Sequence, residues 1–246
     1  MRLVDGCAVV TGGGSGIGRA IAEALAAAGV PVAVVDLMAE SGKDAVGKIS
    51  GAGGKATFVQ GDVSRWSDVD AAVDTAVRQL GPLGILVNAA GILDGYAPME
   101  ELTPSVWERV IAINLGGTFF GCKRALVEMV PRGEGRIVNI ASVAGLNPGG
   151  SSIGYATSKA GLIHLTRCLA VALAPEVSVN CVAPGLMEGT RMTSRLRPET
   201  AEGARQRAVL KRAASVEDVA DQVVAFCRTD SVTGQVLNVD AGVFFH

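Results

Sequence analysis

The segment "IGYATSKAG", residues 153–161, places a tyrosine and a lysine four positions apart in a chain that contains only two tyrosines. If the segment is helical, Tyr155 and Lys159 share one face. A tyrosine with its ordinary pKa of about 10 is a poor base at neutral pH. A cation about 4 Å away would favour the phenolate by ~4 kcal/mol at an effective dielectric constant of about 20, and burial would oppose this effect. The spacing indicates an acid/base tyrosine with a charge partner; the alternative is a surface helix pair without chemistry.

A serine hydroxyl precedes this pair by thirteen residues, at Ser142 in "IVNIASVAG". Such a hydroxyl can hydrogen-bond the oxygen of an alcohol or a carbonyl and hold it in place. Tyr155 could then take the proton from the alcohol while a hydride leaves for a cofactor, or return the proton to a carbonyl. The alternative for Ser142 is a role in a turn or a helix cap.

A glycine-rich segment, "VVTGGGSGIGRAIAEALAAAG", carries the spacing G-x-x-x-G-x-G at Gly12, Gly16 and Gly18. Residues without Cβ let backbone amides and a helix N-terminus approach a pyrophosphate. Asp36 ends the next apolar run, 18 residues past Gly18, where a carboxylate can accept a hydrogen bond from a ribose 2′-hydroxyl. We therefore expect a dinucleotide site, with an ordinary strand–helix turn as the alternative.

The elements that must position these residues alternate along the chain. Seven short β-branched runs predict strands buried on both faces: "CAVVTG", "VPVAVVD", "KATFVQGDV", "GILVNAAG", "GRIVNIAS", "VSVNCVAPG" and "GQVLNVDAG". Amphipathic helices separate them. We expect N-caps at Ser67, in a capping box with Asp70, at Thr103, and at Ser215, in a capping box with Asp218. This pattern predicts a single α/β domain over residues 1–246, a Rossmann-type doubly wound parallel sheet of seven strands with helices on both faces.

Composition narrows the class of partner. The net charge of −2 provides no electrostatic footprint for nucleic acid or an anionic membrane, and we expect no apolar stretch of the length needed to span a bilayer. The five cysteines are widely spaced and the two histidines stand without a carboxylate cluster, so we expect neither structural disulfides nor a metal site. A cytoplasmic protein with a small-molecule substrate follows.

The ordered set of motifs resembles the short-chain dehydrogenase/reductase family over nearly the whole chain. "TGGGSGIG", "NAAG" at 88–91, Tyr-x-x-x-Lys and the "VAPG" turn with Pro184 and Gly185 all match the family's order. The resemblance implies that Asp62 and Val63 in "GDV" contact the adenine. It implies that the "NAAG" segment, which begins at Asn88, stabilises the sheet and flanks the adenosine ribose.

The same resemblance implies further roles. Asn114 would serve a water relay that resupplies protons through Lys159, although a structural hydrogen bond is the alternative. Lys159 would also bond the nicotinamide ribose. The family usually has a threonine five residues after the proline of the turn; here Gly189 holds that position and Thr190 follows. The catalytic set is Ser142, Tyr155, Lys159 and Asn114; the cofactor set is Gly12, Ser15, Gly16, Ile17, Gly18, Asp36, Leu37, Asp62, Val63, Asn88, Ala89, Gly91, Tyr155, Lys159, Pro184, Gly185, Met187 and Thr190.

Two positions favour NAD(H) over NADP(H). A 2′-phosphate beside Asp36 would bring two anions into contact. Ser15 stands in the glycine loop where NADP-using relatives often carry an arginine, and Leu37 adds no cation. Arg19 and Lys43, the nearest cations, would compensate only in part.

The leading interpretation is an NAD-dependent oxidoreductase that interconverts a secondary alcohol and a ketone. The alternatives are a 3-oxoacyl-thioester ketoreductase (acyl carrier protein or CoA) that uses NADPH, and a dinucleotide-sensing protein without catalysis. The substrate pocket is expected along three segments, with these residues as candidates: Leu93, Asp94, Tyr96, Met99, Leu146, Asn147, Leu186, Met187, Glu188 and Met192.

Two larger features are also expected. Residues 186–214 carry seven basic and three acidic side chains without a strand pattern, which predicts a substrate lid or, alternatively, a solvated face. "SKAGLIHLTRCLAVALA" is apolar nearly all round, which predicts a homo-oligomer, a tetramer.

Overall fold

Seven strands form one parallel sheet in the order β3-β2-β1-β4-β5-β6-β7. The computed structural model describes residues 3–147, 151–188, 190 and 198–245. Each predicted apolar run contains one strand, so the predicted fold class is confirmed. The strands are β1 (Cys7–Thr11), β2 (Val32–Asp36), β3 (Ala56–Gln60), β4 (Leu83–Asn88), β5 (Gly135–Ile140), β6 (Val177–Pro184) and β7 (Val236–Val239).

Helices cover both faces of the sheet. The described helices are α1 (Gly16–Ala27), α2 (Ala39–Gly51), α3 (Trp66–Leu80), α4 (Pro104–Ile111), α5 (Gly117–Met129), α6 (Ile153–Ala172), α7 (Pro198–Arg207) and α8 (Val216–Arg228). One apolar core joins Ile21 of α1 and Val223 of α8 to the sheet, and a second joins Val73 of α3 and Met129 of α5 to its opposite face. Because both faces are covered, the central strands consist almost wholly of buried residues.

Two of the three expected helix caps are confirmed. Thr103 caps α4, with Pro104 at the first helical position, and Ser215 and Asp218 form a capping box at α8. The expected cap at Ser67 was wrong: α3 begins at Trp66, so Ser67 lies inside the first turn.

A continuous helical stretch, Pro104–Arg132, runs through α4, a π-helical turn at Ala112–Gly116, α5 and a final 3₁₀ turn. It is long and apolar enough to cross a membrane by length and composition, with a mean hydropathy of 1.3, so the expectation that no segment reaches this length was wrong. In the 18-residue part of this stretch to which that hydropathy applies, 44% of the residues are buried inside the protein. Its Arg124 forms ion pairs with Asp70, Asp74 and Glu128.

The connection direction reverses between β1 and β4, the neighbouring strands from which the sheet grows outward in both directions. In doubly wound sheets, the crevice at the carboxyl ends of the strands at such a point receives the ligand. The residues that follow β1 and β4 are those of the glycine loop and the "NAAG" segment.

Candidate active site

A cleft with a cavity volume of about 670 Å³ opens at the carboxyl ends of the strands. It receives residues that follow every strand of the sheet, from the glycine loop after β1 to Val243 and Phe244 after β7. The predicted site residues that line it are Gly12, Ser15, Gly16, Ile17, Gly18, Asp36, Leu37, Asp62, Val63, Ala89, Gly91, Ser142, Tyr155, Lys159, Pro184, Gly185, Met187 and Thr190.

The glycine loop is packed too closely for side chains. A Cβ at Gly12, whose φ is +65°, would lie 2.8 Å from the Cα of Ala90, and one at Gly18 would lie 2.2 Å from the carbonyl oxygen of Gly12. Helix α1 begins at Gly16, and the side chain of its N-cap, Ser15, makes no capping hydrogen bond. The first amides of α1 therefore face the cleft without a side-chain cap, which fits the diphosphate of a dinucleotide.

Thr11, which sequence reasoning missed, joins the glycine loop to the "NAAG" segment. Its Oγ1 accepts hydrogen bonds from the amides of Ala89 at 3.2 Å and Ala90 at 3.3 Å. The available signal was its place as the last residue of β1, directly before the glycines. Thr11 thus holds together the two backbone segments that border the centre of the cleft.

Asp36 ends β2 beside the glycine loop. Its Oδ2 accepts from the amide of Gly14 at 2.9 Å, and its Oδ1 accepts from the amide of Met38 at 2.9 Å. The expected nearby cation, Arg19, instead pairs with Glu23 at 2.8 Å and Asp44 at 2.7 Å. The carboxylate is therefore oriented by backbone amides, and the charge of Arg19 is committed elsewhere.

One end of the cleft is formed by the turn after β3, where adenine contacts were expected. The amide of Asp62 donates to Asp68 Oδ2 at 3.1 Å, and Asp62 Oδ1 accepts from the hydroxyl of Ser64 at 2.7 Å. Val63 packs against Gly117 of α5, where an added Cβ would lie 2.8 Å from the valine Cγ2. Ile113, one residue before Asn114, also lines the cleft and was not identified from the sequence.

Asn88 does not belong to the described residues that line the cleft. Its Nδ2 donates to Asn139 Oδ1 at 2.9 Å, and Asn139 in turn donates to Thr166 Oγ1 at 3.0 Å. The Asn88 side chain thus links β4, β5 and α6 inside the protein. The contact of the "NAAG" segment with the cleft is made by Ala89 and its successors.

Ser142, Tyr155 and Lys159 meet in the cleft from two elements. Ser142 follows β5, and its hydroxyl donates to the carbonyl of Pro184 at 3.4 Å while accepting from the amide of Ala144 at 3.2 Å. Tyr155 lies in the first turn of α6 and Lys159 one turn later. Lys159 Nζ donates to the carbonyl of Ile140 at 2.7 Å and lies 5.6 Å from the centroid of the tyrosine ring.

Burial controls the ionisation of this pair. Burial raises the pKa of Tyr155 to about 12, and hydrogen bonding to Ser142 opposes the rise. Burial also lowers the pKa of Lys159 to about 8. The sequence argument placed a cation about 4 Å from the phenol and expected a lowered tyrosine pKa. In the protein without a dinucleotide, burial shifts the pKa of Tyr155 in the opposite direction, because removal from water disfavours the charged form.

Asn114 lies in the π-helical turn and does not line the cleft within the described parts of the chain. Its side chain exchanges two hydrogen bonds with the backbone of Ile92, at 2.8 Å and 3.0 Å, and donates to Ser158 Oγ at 3.0 Å. A Cβ at Gly91 would lie 3.4 Å from Asn114 Oδ1 and 3.5 Å from Lys159 Nζ. Asn114 and Lys159 therefore both lie close to the same point beside Gly91.

Some of the candidate substrate residues line the cleft and others do not. Leu93, Tyr96, Leu186 and Met187 line it, as do Arg109, Ala204 and Arg207, which sequence reasoning missed. Met192 and Gly189 lie outside the described residues. The candidates that the structure describes away from the cleft lining are Asp94, Met99, Leu146, Asn147 and Glu188.

Comparisons with known proteins agree with this geometry. The short chain dehydrogenase family model matches residues 6–201. The chain is 41% identical to the ketoacyl reductase 2 assigned to granaticin polyketide synthase of Streptomyces violaceoruber, over 96% of this chain and 94% of the relative. It is 38% identical to cis-4-hydroxycyclohexanecarboxylate dehydrogenase of Sinomonas cyclohexanicum, over 96% and 95%.

A solved structure of an actinorhodin polyketide ketoreductase variant with NADPH superposes with a TM-score of 0.90 and 33% identity, covering 96% of each chain. The family match, the relatives and the shared fold converge on one family. The chain therefore belongs to the short-chain dehydrogenase/reductase family, whose members are oxidoreductases that bind a nicotinamide dinucleotide.

Proposed function

We propose that this protein is an NAD-dependent oxidoreductase that interconverts a secondary alcohol and a ketone, with Tyr155 as the acid/base. The observation that carries the proposal is the position of Ser142, Tyr155 and Lys159 on the wall of the same cleft as the glycine loop. A dinucleotide-sensing protein has no need of these three groups beside its nucleotide site.

The chain's own residues would act on the oxygen of the substrate. The hydroxyl of Ser142 hydrogen-bonds this oxygen, and Tyr155 takes the hydroxyl proton of the alcohol or returns it to the carbonyl. The glycine loop and Asp36 would hold a nicotinamide dinucleotide, which would supply the hydride-transfer chemistry at the carbon atom. Lys159 stabilises the phenolate by its charge once the proton has moved, and the carbonyl of Ile140 holds the lysine in place.

The proposed preference for NAD(H) rests on Asp36. Both carboxylate oxygens are held by backbone amides at the end of β2, so the charge is fixed at the expected ribose position. A 2′-phosphate would meet this charge, and Arg19 is already paired with two carboxylates.

A second candidate function is the reduction of a 3-oxoacyl thioester with NADPH. It is favoured by the similarity to a polyketide ketoacyl reductase and by Arg207, which lines the cleft from α7. A guanidinium at this position could pair with an anionic group of a carrier-bound substrate.

The described parts of residues 186–214 support the proposal that this segment is a lid. It contains α7, which the sequence did not reveal, and Ala204 and Arg207 of α7 line the cleft. Its end is anchored, since the amides of Val209 and Leu210 donate to the carbonyls of Gly242 and Ala241. We propose that α7 moves against this anchor. Protease sensitivity of the segment that is unchanged by cofactor and substrate analogue would argue against a lid.

We also propose a homo-oligomer, a tetramer, in the cytoplasm. Val171 of α6 is 84% exposed and Phe245 near the C-terminus is 79% exposed, which supports burial against another subunit. All five cysteines are free thiols, as suits a reducing compartment. A 25 kDa particle in light scattering at micromolar concentration would exclude the oligomer.

A panel of secondary alcohols, ketones and 3-oxoacyl thioesters, assayed with both cofactors, tests the proposal. We expect turnover of at least one alcohol–ketone pair with NAD(H). Turnover of 3-oxoacyl thioesters alone, with NADPH, would establish the second candidate instead.

A further inference from the structure

We propose that Asp94 is a positioning residue that caps the catalytic helix α6 from a separate loop and fixes Tyr96 at the cleft. This inference rests on the proposed function, since it concerns the placement of Tyr155 for proton transfer.

The cap is a contact between the loop and the first turn of α6. Asp94 is only 7% exposed, and its Oδ2 accepts a hydrogen bond from the amide of Gly154 at 3.0 Å. The helix's own N-cap, Ser152, makes no side-chain capping bond, and its hydroxyl is buried without a partner among the described residues. Asp94 therefore supplies the acceptor and the negative charge that a helix N-terminus favours.

The carboxylate and the helix are closely fitted at this point. A Cβ at position 154 would lie 2.9 Å from Asp94 Oδ2, so glycine is needed for the approach. Gly154 directly precedes Tyr155, and its amide belongs to the turn that sets the direction of the tyrosine side chain. A change at Asp94 is therefore transmitted to Tyr155 through one peptide unit.

The second carboxylate oxygen holds Tyr96. Oδ1 of Asp94 accepts from the amide of Tyr96 at 3.2 Å, and Tyr96 has a φ of +61°, a strained value for a bulky residue. Tyr96 lines the cleft, and burial followed by the Asp94 charge raises its pKa. Asp94 thus holds a protonated tyrosine at the substrate end of the cleft in a conformation that the loop would not keep alone.

The same loop is tied to α6 at a second point. Asn114 holds the backbone of Ile92 and donates to Ser158 of α6, one turn after Gly154. Tyr155 lies between the two attachments. With the Asp94 contact removed, the remaining tie described here between this loop and α6 is the one through Asn114 to Ser158, so Asp94 is the loop contact that adjoins Tyr155.

The test compares Asp94→Asn and Asp94→Ala with Ser215→Ala, which removes the N-cap of α8 away from the cleft. Three quantities are measured: kcat on the panel substrate, affinity for NADH, and deuterium exchange of the peptides covering 152–158 and 215–221. The asparagine variant keeps one acceptor oxygen, so it should retain part of the function. Ser215→Ala measures how much the loss of a helix cap by itself lowers stability.

We expect Asp94→Ala to lower kcat by about 10- to 100-fold, the effect of a misplaced reacting group, with NADH affinity within about twofold of wild type. The kcat of Asp94→Asn should lie between those of Asp94→Ala and wild type. In the Asp94 variants, deuterium exchange should rise at residues 152–158 only. Ser215→Ala should raise exchange at 215–221 and leave kcat unchanged.

Unchanged exchange at 152–158 in Asp94→Ala, or a kcat within about twofold of wild type, would overturn the inference. A wild type without turnover would defeat the proposed function instead, and the exchange at 152–158 would still decide whether Asp94 caps α6.

Discussion

Lys159 Nζ lies 5.6 Å from the centroid of the Tyr155 ring while it donates a 2.7 Å hydrogen bond to the carbonyl of Ile140. The lysine is therefore held by β5 as well as by its own helix. Both side chains are buried, at 8% and 3% exposure, so their interaction is little screened by solvent. This arrangement places the charge of Lys159 where it can act on the ionisation of Tyr155.

Replacing Lys159 by methionine should move the pH profile of alcohol oxidation. Oxidation needs the deprotonated tyrosine, and a neighbouring cation favours that form. Since the pKa of Lys159 is about 8, its charge acts below that pH. Its loss should shift the part of the rising limb of kcat that lies below about pH 8 to higher pH by about 1 to 3 units, with a lower kcat at pH 7. Lys123→Met, at an exposed lysine over the ring of Trp66, is the matched control and should leave the limb in place. A limb that stays in place in Lys159→Met would show that the lysine charge does not act on the tyrosine.

Replacing Asp36 by alanine should relax the choice of cofactor. We expect the wild type to prefer NAD(H) by at least ~100-fold in kcat/KM, and the variant to lose most of this preference. Glu40→Ala removes an exposed carboxylate in the first turn of α2 and should leave the preference intact. Equal use of NADP(H) by the wild type would contradict the assignment of NAD.

A methyl group at Gly18 should weaken dinucleotide binding. The added Cβ would lie 2.2 Å from the carbonyl oxygen of Gly12, so the loop must move. We expect Gly18→Ala to lower NADH affinity by at least ~10-fold, about 1.4 kcal/mol. Gly47→Ala, in helix α2 with nothing within 4 Å of the new Cβ, should raise stability by about 0.5–1 kcal/mol without changing affinity. If NADH affinity, measured by fluorescence titration, is unaltered in Gly18→Ala, the glycine loop is not part of the dinucleotide site.

Buried thiols should make the protein unstable at high pH. Burial raises thiol pKa values from 9.0 to about 11 at Cys7 and to about 12 at Cys122, Cys181 and Cys227. The unfolded chain ionises first, so this stability is complete below pH 9 and is lost as pH rises toward 12, by about 1.4 kcal/mol per pH unit for each thiol. The lowered pKa of Lys159 acts with the opposite sign between about pH 8 and its ordinary value of 10.5, whereas the raised pKa of Tyr155 adds to the loss of stability above its ordinary value of 10.0.

Denaturant unfolding with reductant measures this slope. Cys227→Ala should reduce the loss of unfolding free energy above pH 9 by the contribution of one buried thiol, about 1.4 kcal/mol per pH unit. Cys168→Ala, which changes an exposed thiol, should leave this loss as it is in wild type. Equal slopes in wild type and Cys227→Ala would contradict the burial effect.

Local patterns were enough to predict the sheet, because each buried strand is a short β-branched run and a segment with helical spacing separates most of these runs from the next. They also brought most of the predicted cofactor residues to one cleft, since the residues that follow parallel strands meet at one edge. Helix α7 was not predicted because its sequence, "PETAEGARQR", lacks an apolar stripe. Thr11 and Asp94 were missed as structural ties because their partners lie 60 or more residues away along the chain. The ionisation of Tyr155 could not be predicted, since it depends on burial by elements distant in sequence.

Turnover by wild type and Tyr155→Phe, measured side by side on the same alcohol or ketone, tests the assignment of Tyr155 most directly. The phenylalanine keeps the buried ring and removes only the hydroxyl, so NADH affinity should stay within about twofold of wild type. We expect kcat to fall by about 10²–10⁴-fold, the share that general acid/base catalysis contributes. Retained turnover in Tyr155→Phe, or NADH binding without turnover by the wild type, would contradict a catalytic Tyr155.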